Sequence, residues 1–488
     1  MTTEVNRSEI QGLILSGYGH LNYGKYLFLT VTDAAQGRAW IGAIQPLIAN
    51  GERWDSVNEV RVKPTSMINI GISASGLRAL GVSDTSLETF PVDYRDGIAT
   101  EIRSNLLGDQ GASAPANWQI GKDQSTLHVL LVILAQDALI LAQRVAEQQT
   151  LWQAHGLSLL AEEHAQRLPD NREHFGFKDG ISQPKFKGNP RKDQPHDPEI
   201  KPGEFVLGYP NNYDTQPIMP ELNGRPFGLD GSYVVFRKMY QDVVGFWEFM
   251  TEQANNPSDA QLMAMSPELR VTWFASKMYG RWPSGAPMTK YPDHDVPDLP
   301  KEALNKFLYV RDRPTENAKP GELSDAQGLY APRGSHIRRA NPRDTNADDP
   351  NAALKTSDSH LIIRRGLPYG QPLVTLDNIP PLNLVEDHQD RGLIFLAINA
   401  SISRQFEFIH QSWLNNTKFD HLYNDKDPIV GDNPDKTDVD PETERYDMTI
   451  ERLPVRRRIK NMPRFTTVRG GGYFFMPSLS ALNMLAKL

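Results

Sequence analysis

The chain contains no cysteine. That excludes disulfides, a thiolate metal site, a cysteine nucleophile and the C-x-x-C-H attachment of covalent haem. Apolar runs are short. The longest, "LHVLLVILA" at 127–135, cannot span a bilayer and suits a buried strand. The start, "MTTEVNRSEIQ", has no basic segment followed by an apolar one. No signal peptide is read there, and a cytoplasmic location is expected. The twelve histidines include no H-E-x-x-H or similar pair, so a zinc hydrolase has no support. No G-x-S-x-G elbow occurs either.

What is present is ordinary globular composition, 39 % hydrophobic and 23 % charged, with a net charge of −8. The acidic balance favours a soluble protein and argues against nucleic acid or an anionic membrane as the main partner. At 488 residues, two domains or two similar halves are expected. Strand-like "KYLFLTVTD", helical "AAQGRAWIGAIQPLIANG", strand-like "MINIGIS" and "LHVLLVILA", helical 137–156 and strand-like "LSLLAEEH" fill the first half. The second half repeats this order with "GSYVVFRKMY", helical 242–255, "HLIIRRG", "RGLIFLAINA", helical 401–416 and "GGYFFMP". Two α+β halves follow, 1–225 and 226–488, each an antiparallel sheet with helices on one face. Three long stretches, about 180–230, 281–358 and 417–465, fit no element. Their prolines and aromatics point to ordered, packed loops.

Several motifs dissolve on inspection. "GHLNYGKY" misses the phosphate-loop pattern at Tyr26 and precedes a strand. "VRGGGYFF" lacks dinucleotide spacing and reads as close backbone approach to something bulky. The acidic stretch 425–444 lacks calcium-loop spacing and reads as a solvated loop, offset by the basic run "RLPVRRRIK" at 452–460.

Three segments carry chemistry. "HFGFKDGISQP" (174–184) sets Asp179 among glycines at the mouth of a long loop. "GLYAPRGSHIRRANPRD" (328–344) surrounds His336 with arginines. Those cations disfavour imidazolium, which suits a neutral, ligating imidazole, but from this stretch alone an exposed basic loop is the preferred reading. "HLIIRRGLPYG" ends an apolar strand in Arg364 and Arg365, one of which needs an anionic partner if it points inward.

In this order the three segments resemble the dye-decolourising peroxidase family of haem enzymes, in its longer bacterial form. "PGEFVLGYP", "GRWPSGAP", "RQFEFIHQSWLN" and "FTTVRGGGYFFMPSL" extend the likeness over nearly the whole chain. The resemblance implies two ferredoxin-like modules forming a dimeric α+β barrel, with haem b held non-covalently by the second. It implies His336 as the axial iron ligand and Asp179 and Arg364 as the distal pair. It further implies Arg343 on a haem propionate, Gly176 and Gly180 admitting the flat porphyrin, and an acidic partner for the proximal imidazole, for which Glu407 is the candidate. The implied activity is reduction of hydrogen peroxide and one-electron oxidation of dyes, phenols and other aromatic reductants through a ferryl intermediate, by a monomer or homodimer. The rival reading with the same pocket is haem handling, as a carrier or in iron release, with little peroxidase turnover. Of the 8 Trp and 16 Tyr, none is singled out for surface electron transfer; Tyr369 and Trp413 suit packing.

Overall fold

The computed structural model describes residues 4–488 apart from 53, 55, 58–59, 190–199, 256–259, 311–323 and 436–443. Residues 436–443 belong to the acidic stretch singled out above and lie outside the described residues.

Nine antiparallel strands form one sheet. They are β1 (Tyr23–Val31), β2 (Ser66–Ile72), β3 (Val129–Ala135), β4 (Leu157–Gln166), β5 (Ser232–Gln241), β6 (Ile363–Arg364), β7 (Leu367–Tyr369), β8 (Gly392–Asn399) and β9 (Thr466–Met476). The spatial order is β6-β8-β5-β9-β2-β3-β1-β4, with β7 also paired to β8. Within 23–166 the order is second, third, first, fourth. Within 232–476 it is the same, β6 and β7 together standing second. The two sets join through β9 and β2, where Phe475 faces Ile72. At the other end β7 lies against β4, and Lys238 of β5 reaches Glu163 of β4 at 2.6 Å. The sheet is thus curled into a barrel.

Strand alternation explains the curl. Every strand sends residues to one interior cluster, among them Tyr26, Phe28, Val132, Phe236, Leu396 and Phe474. The alternate residues, such as Leu27, Leu29, Ile70 and Val235, face outward into a second core. Helices α1 (Ala34–Ile44) and α2 (Ala138–Gln153) border the first four strands, and α1 inserts Trp40, Ile41 and Ile44 into that core. Helix α3 (Val243–Asn255) follows β5 and packs on α4 (Pro267–Tyr279). Three strand-to-helix junctions use one device: Asp33, Asp137 and Asp242 accept from the amides of Gln36, Ile140 and Gly245. An aspartate there satisfies an amide that the first helical turn leaves without a partner.

The long stretches are packed where they are described. Phe186, Ile200, Phe205, Val206 and Leu207 are at most 1 % exposed. The segment expected to be α-helical after β8 is instead wound as two π-helical stretches, Ser403–Glu407 and Ile409–Leu414. That winding rotates side chains away from the positions that α spacing predicts.

Candidate active site

Asp179 stands at the end of a loop held from inside. The Glu173 carboxylate accepts from the amides of Phe175 and Phe177, both at 2.9 Å, and from Gln241 Nε2 at 2.6 Å. Phe175 packs against Phe246, and Phe177 stacks on Tyr279 with centroids 3.9 Å apart. The Asp179 amide donates to Asn171 O and the Lys178 amide to Pro283 O. With Glu173, His174, Phe175 and Phe177 buried, the loop delivers Asp179 to the wall of a cavity of about 630 Å³. Burial pushes the Glu173 carboxyl up to about 7, against its three hydrogen bonds.

Arg364 reaches the same cavity from β6. Its Nη1 donates to Asp179 Oδ1 at 2.9 Å and its Nη2 to Ser182 O, while its amide donates to Gln183 Oε1. Arg365, the alternative, also borders the cavity but donates to Leu13 O and Ile14 O and not to Asp179. Leu393 and Phe395 line the cavity from the outward face of β8. Burial works to raise the Asp179 carboxyl. The Arg364 charge, the Gly180 amide and the Arg364 hydrogen bond outweigh it and hold the carboxyl below its ordinary range.

His336 opens the short helix His336–Ala340. Its Nδ1 lies 3.0 Å from Asp427 Oδ2, and Asp427 is fully buried. The other Asp427 oxygen accepts from the amides of Ile429 and Val430, both at 2.9 Å. Nε2 has no hydrogen-bond partner among the described residues, and a quarter of the side chain is open. Tyr279 joins the two walls: it stacks on Phe177 and meets the His336 ring edge-on at 6.2 Å. His336 and Asp179 are near enough to act on each other's charge.

Four expectations change. Glu407 does not serve the imidazole: it binds Arg103 at 2.7 Å and the Tyr473 hydroxyl at 2.8 Å, a result of the π-winding. Asp427 takes that place. It lies in the acidic stretch read as solvated, yet Asp425 and Asp427 are both fully buried. The signal available was "PIVG" inside the acidic run, an apolar turn that must bury its neighbours. The neighbouring arginines do not set the His336 charge as expected. Arg338 donates to Asp325 O and Ala326 O, and Arg339 to Trp413 O and Asp425 O, so both brace loops. Burial disfavours the imidazolium, but the Asp427 charge and hydrogen bond prevail and raise the His336 pKa. Finally, Gly176 serves packing. Its φ is +95°, and a Cβ there would stand 2.8 Å from Val374 Cγ1. Gly180 is different: φ is +71° and a Cβ would meet nothing within 4 Å.

Arg343 donates to Asn305 O, Phe307 O and Asn305 Oδ1 and lies 4.0 Å over the Phe307 ring. These residues fit a haem. An imidazole is oriented by a buried carboxylate through one nitrogen, with the other nitrogen left to ligate. An acid and a guanidinium near enough to act on its charge line a cavity whose walls are both polar and apolar.

Comparison with known proteins agrees with this geometry. Residues 9–164 match the family described as "DyP dimeric alpha+beta barrel domain". The dye-decolorizing peroxidase msp1 of Mycetinis scorodonius is 30 % identical, over 99 % of this chain and 88 % of its own. The multifunctional dye peroxidase DyP2 of Amycolatopsis sp. is 28 % identical over 94 % of this chain and 91 % of its own. The crystal structure of a decolorizing peroxidase from Auricularia auricula-judae superposes with a TM-score of 0.78 at 26 % identity, covering 99 % of this chain and all of that one. Fungal relatives match as fully as any, so the narrower likeness to a longer bacterial form is not upheld. The chain belongs to the dye-decolorizing peroxidase family, and it is an enzyme of that kind.

Proposed function

We propose that the chain binds haem b without a covalent bond, through His336 Nε2, and uses it to reduce hydrogen peroxide at the expense of dyes, phenols and other aromatic reductants. The observation that carries this is the nearness of two sets of groups: His336 backed by Asp427, and the Asp179–Arg364 pair at 2.9 Å, close enough to act on the His336 charge. The bound iron would accept the oxygen of peroxide and return its oxidising power to reductants one electron at a time.

The remaining work falls to side chains of this chain. Asp179, held ionised, takes the proton from one peroxide oxygen and gives it to the other, so that water departs. Arg364 offsets the negative charge that develops on the departing oxygen and keeps Asp179 ionised. Asp427 holds the Nδ1 proton of His336, which leaves Nε2 as the ligating nitrogen and makes it more electron-donating. Gly180 leaves room for a flat ring, and Arg343 would hold a carboxylate at its edge. Leu393 and Phe395 limit water around the reacting oxygens.

The test is an absorption titration of the chain and of His336→Ala with haem, followed by one equivalent of peroxide. The reading expects a Soret band that shifts with peroxide and returns on adding a phenol, and a weakened, displaced band in His336→Ala. A Soret band indifferent to peroxide would replace peroxidase turnover by haem handling.

A further inference from the structure

The basic run 452–460 has no part in the site above. It forms the outer end of a hairpin, Met448–Ile450 paired with Arg457–Ile459. The base is rigid: Met448, Ile450 and Ile459 are at most 2 % exposed and belong to the core around Phe274. Glu451 turns inward and accepts from the Arg333 amide. Beyond it the turn presents Leu453–Pro454–Val455 outward, with Leu453 78 % and Val455 76 % exposed. Single exposed aliphatics are ordinary on a protein surface. A contiguous aliphatic tip on an anchored arm is a different feature.

The surroundings of the tip are cationic. Residues 452–460 hold five basic side chains and no acid, in a chain whose net charge is −8. Arg457 is fixed over the Phe274 ring and donates to Gln253 O. Its guanidinium is disfavoured first by burial and then by the nearby charge of Arg452. Arg458 is matched by Asp447 at 2.8 Å. Arg456 stands exposed beside the tip, and Lys460 is exposed at the base end of the return strand.

We propose that this hairpin is a docking device for an anionic lipid surface, with Leu453 and Val455 entering the headgroup boundary and Arg456 and Lys460 resting on the lipid charge. Shape and chemistry favour a bilayer over a protein partner. The tip is convex and aliphatic, whereas protein interfaces centre on aromatic anchors seated in pockets. The sign of the charge matches anionic lipid, and the net negative charge of the chain disfavours its acidic surfaces there relative to this basic one. No helix among the described residues is long and apolar enough to cross a membrane, so the contact would be peripheral and reversible. The proposal does not depend on the peroxidase reading.

The experiment is sedimentation of the haem-loaded full chain with vesicles of phosphatidylcholine and of phosphatidylcholine containing 30 % phosphatidylglycerol (roughly a strongly anionic leaflet). Binding to the anionic vesicles alone, weakened by salt, is expected. Leu453→Ser/Val455→Ser and, separately, Arg456→Glu/Lys460→Glu should each lower the partition coefficient about tenfold. Both change exposed positions, and peroxide turnover measured alongside should stay at the level of the parent. Three results overturn the proposal: no sedimentation with anionic vesicles at low salt, sedimentation unchanged in both variants, or equal retention on immobilised polyglutamate that is insensitive to Leu453→Ser/Val455→Ser. The last would assign the tip to an acidic macromolecule instead.

Discussion

Asp427 stands 3.0 Å behind His336, with one oxygen on Nδ1 and the other held by two backbone amides. This carboxylate has no freedom to turn away, and its negative charge is transmitted to Nε2. Asp427→Asn keeps the shape and removes the charge. Haem affinity or peroxide reactivity should fall roughly tenfold to a hundredfold, and the midpoint potential should become more positive. Haem titration and spectroelectrochemistry check both.

Glu407 supplies the contrast. Its Arg103 partner is largely buried and its second partner is Tyr473. Glu407→Gln leaves Arg103 with Asp96 at 3.7 Å as its remaining carboxylate partner, at a cost of about 2 kcal/mol in urea unfolding. The position and intensity of the Soret band should not move.

The Arg364–Asp179 pair yields a pH prediction. A carboxyl held below its ordinary range is available as a base above its depressed pKa and is lost as pH falls through it. Replacing Arg364 with Leu removes the guanidinium that outweighs burial. The acid limb of kcat/KM for peroxide should then move to higher pH, and the plateau should fall about a hundredfold or more. Asp179→Asn should abolish that limb rather than shift it. A limb that stays in place in Arg364→Leu would separate the arginine from the acid.

Glu173 gives a stability prediction of opposite sign. Its carboxyl is pushed up to about 7 by burial, against an ordinary value of 4.5. Between these values the folded chain keeps a proton that the unfolded chain has released, so stability falls as pH rises through that window. The loss amounts to roughly 3 kcal/mol. Glu173→Gln has nothing to ionise, so the difference in unfolding free energy between parent and variant should change by about that amount from pH 4.5 to 7. A constant difference would place the Glu173 carboxyl in its ordinary range.

Much of this was legible in the amino-acid sequence, for physical reasons. The strands were readable because one face of each is buried in the barrel, as in "LHVLLVILA", where Val129–Ala135 is buried throughout. Asp179, His336 and Arg364 stood out because each sits in a local pattern of glycines, arginines or an apolar strand end, and the structure brings the three near one another. Asp427 was not, because the histidine it serves lies 91 residues away along the chain and nothing local announces the contact. Glu407 was misplaced because helix register cannot be fixed from sequence, and Ser403–Glu407 is moreover wound away from α spacing. The arginines around His336 misled because charge counted along a chain ignores that Arg338 and Arg339 spend their hydrogen bonds on carbonyls 7 to 86 residues away.

The closing of the barrel has a consequence for the distal pair. Asp179 follows β4 and Arg364 belongs to β6, the two outermost strands in the order of the sheet. Their ion pair therefore stitches the seam where the barrel meets itself, where β7 lies against β4. The groups proposed to handle peroxide are also a clasp. A change that opens this end of the sheet would be expected to act on the pair as well, so the geometry of the proposed site leans on the closure of the barrel.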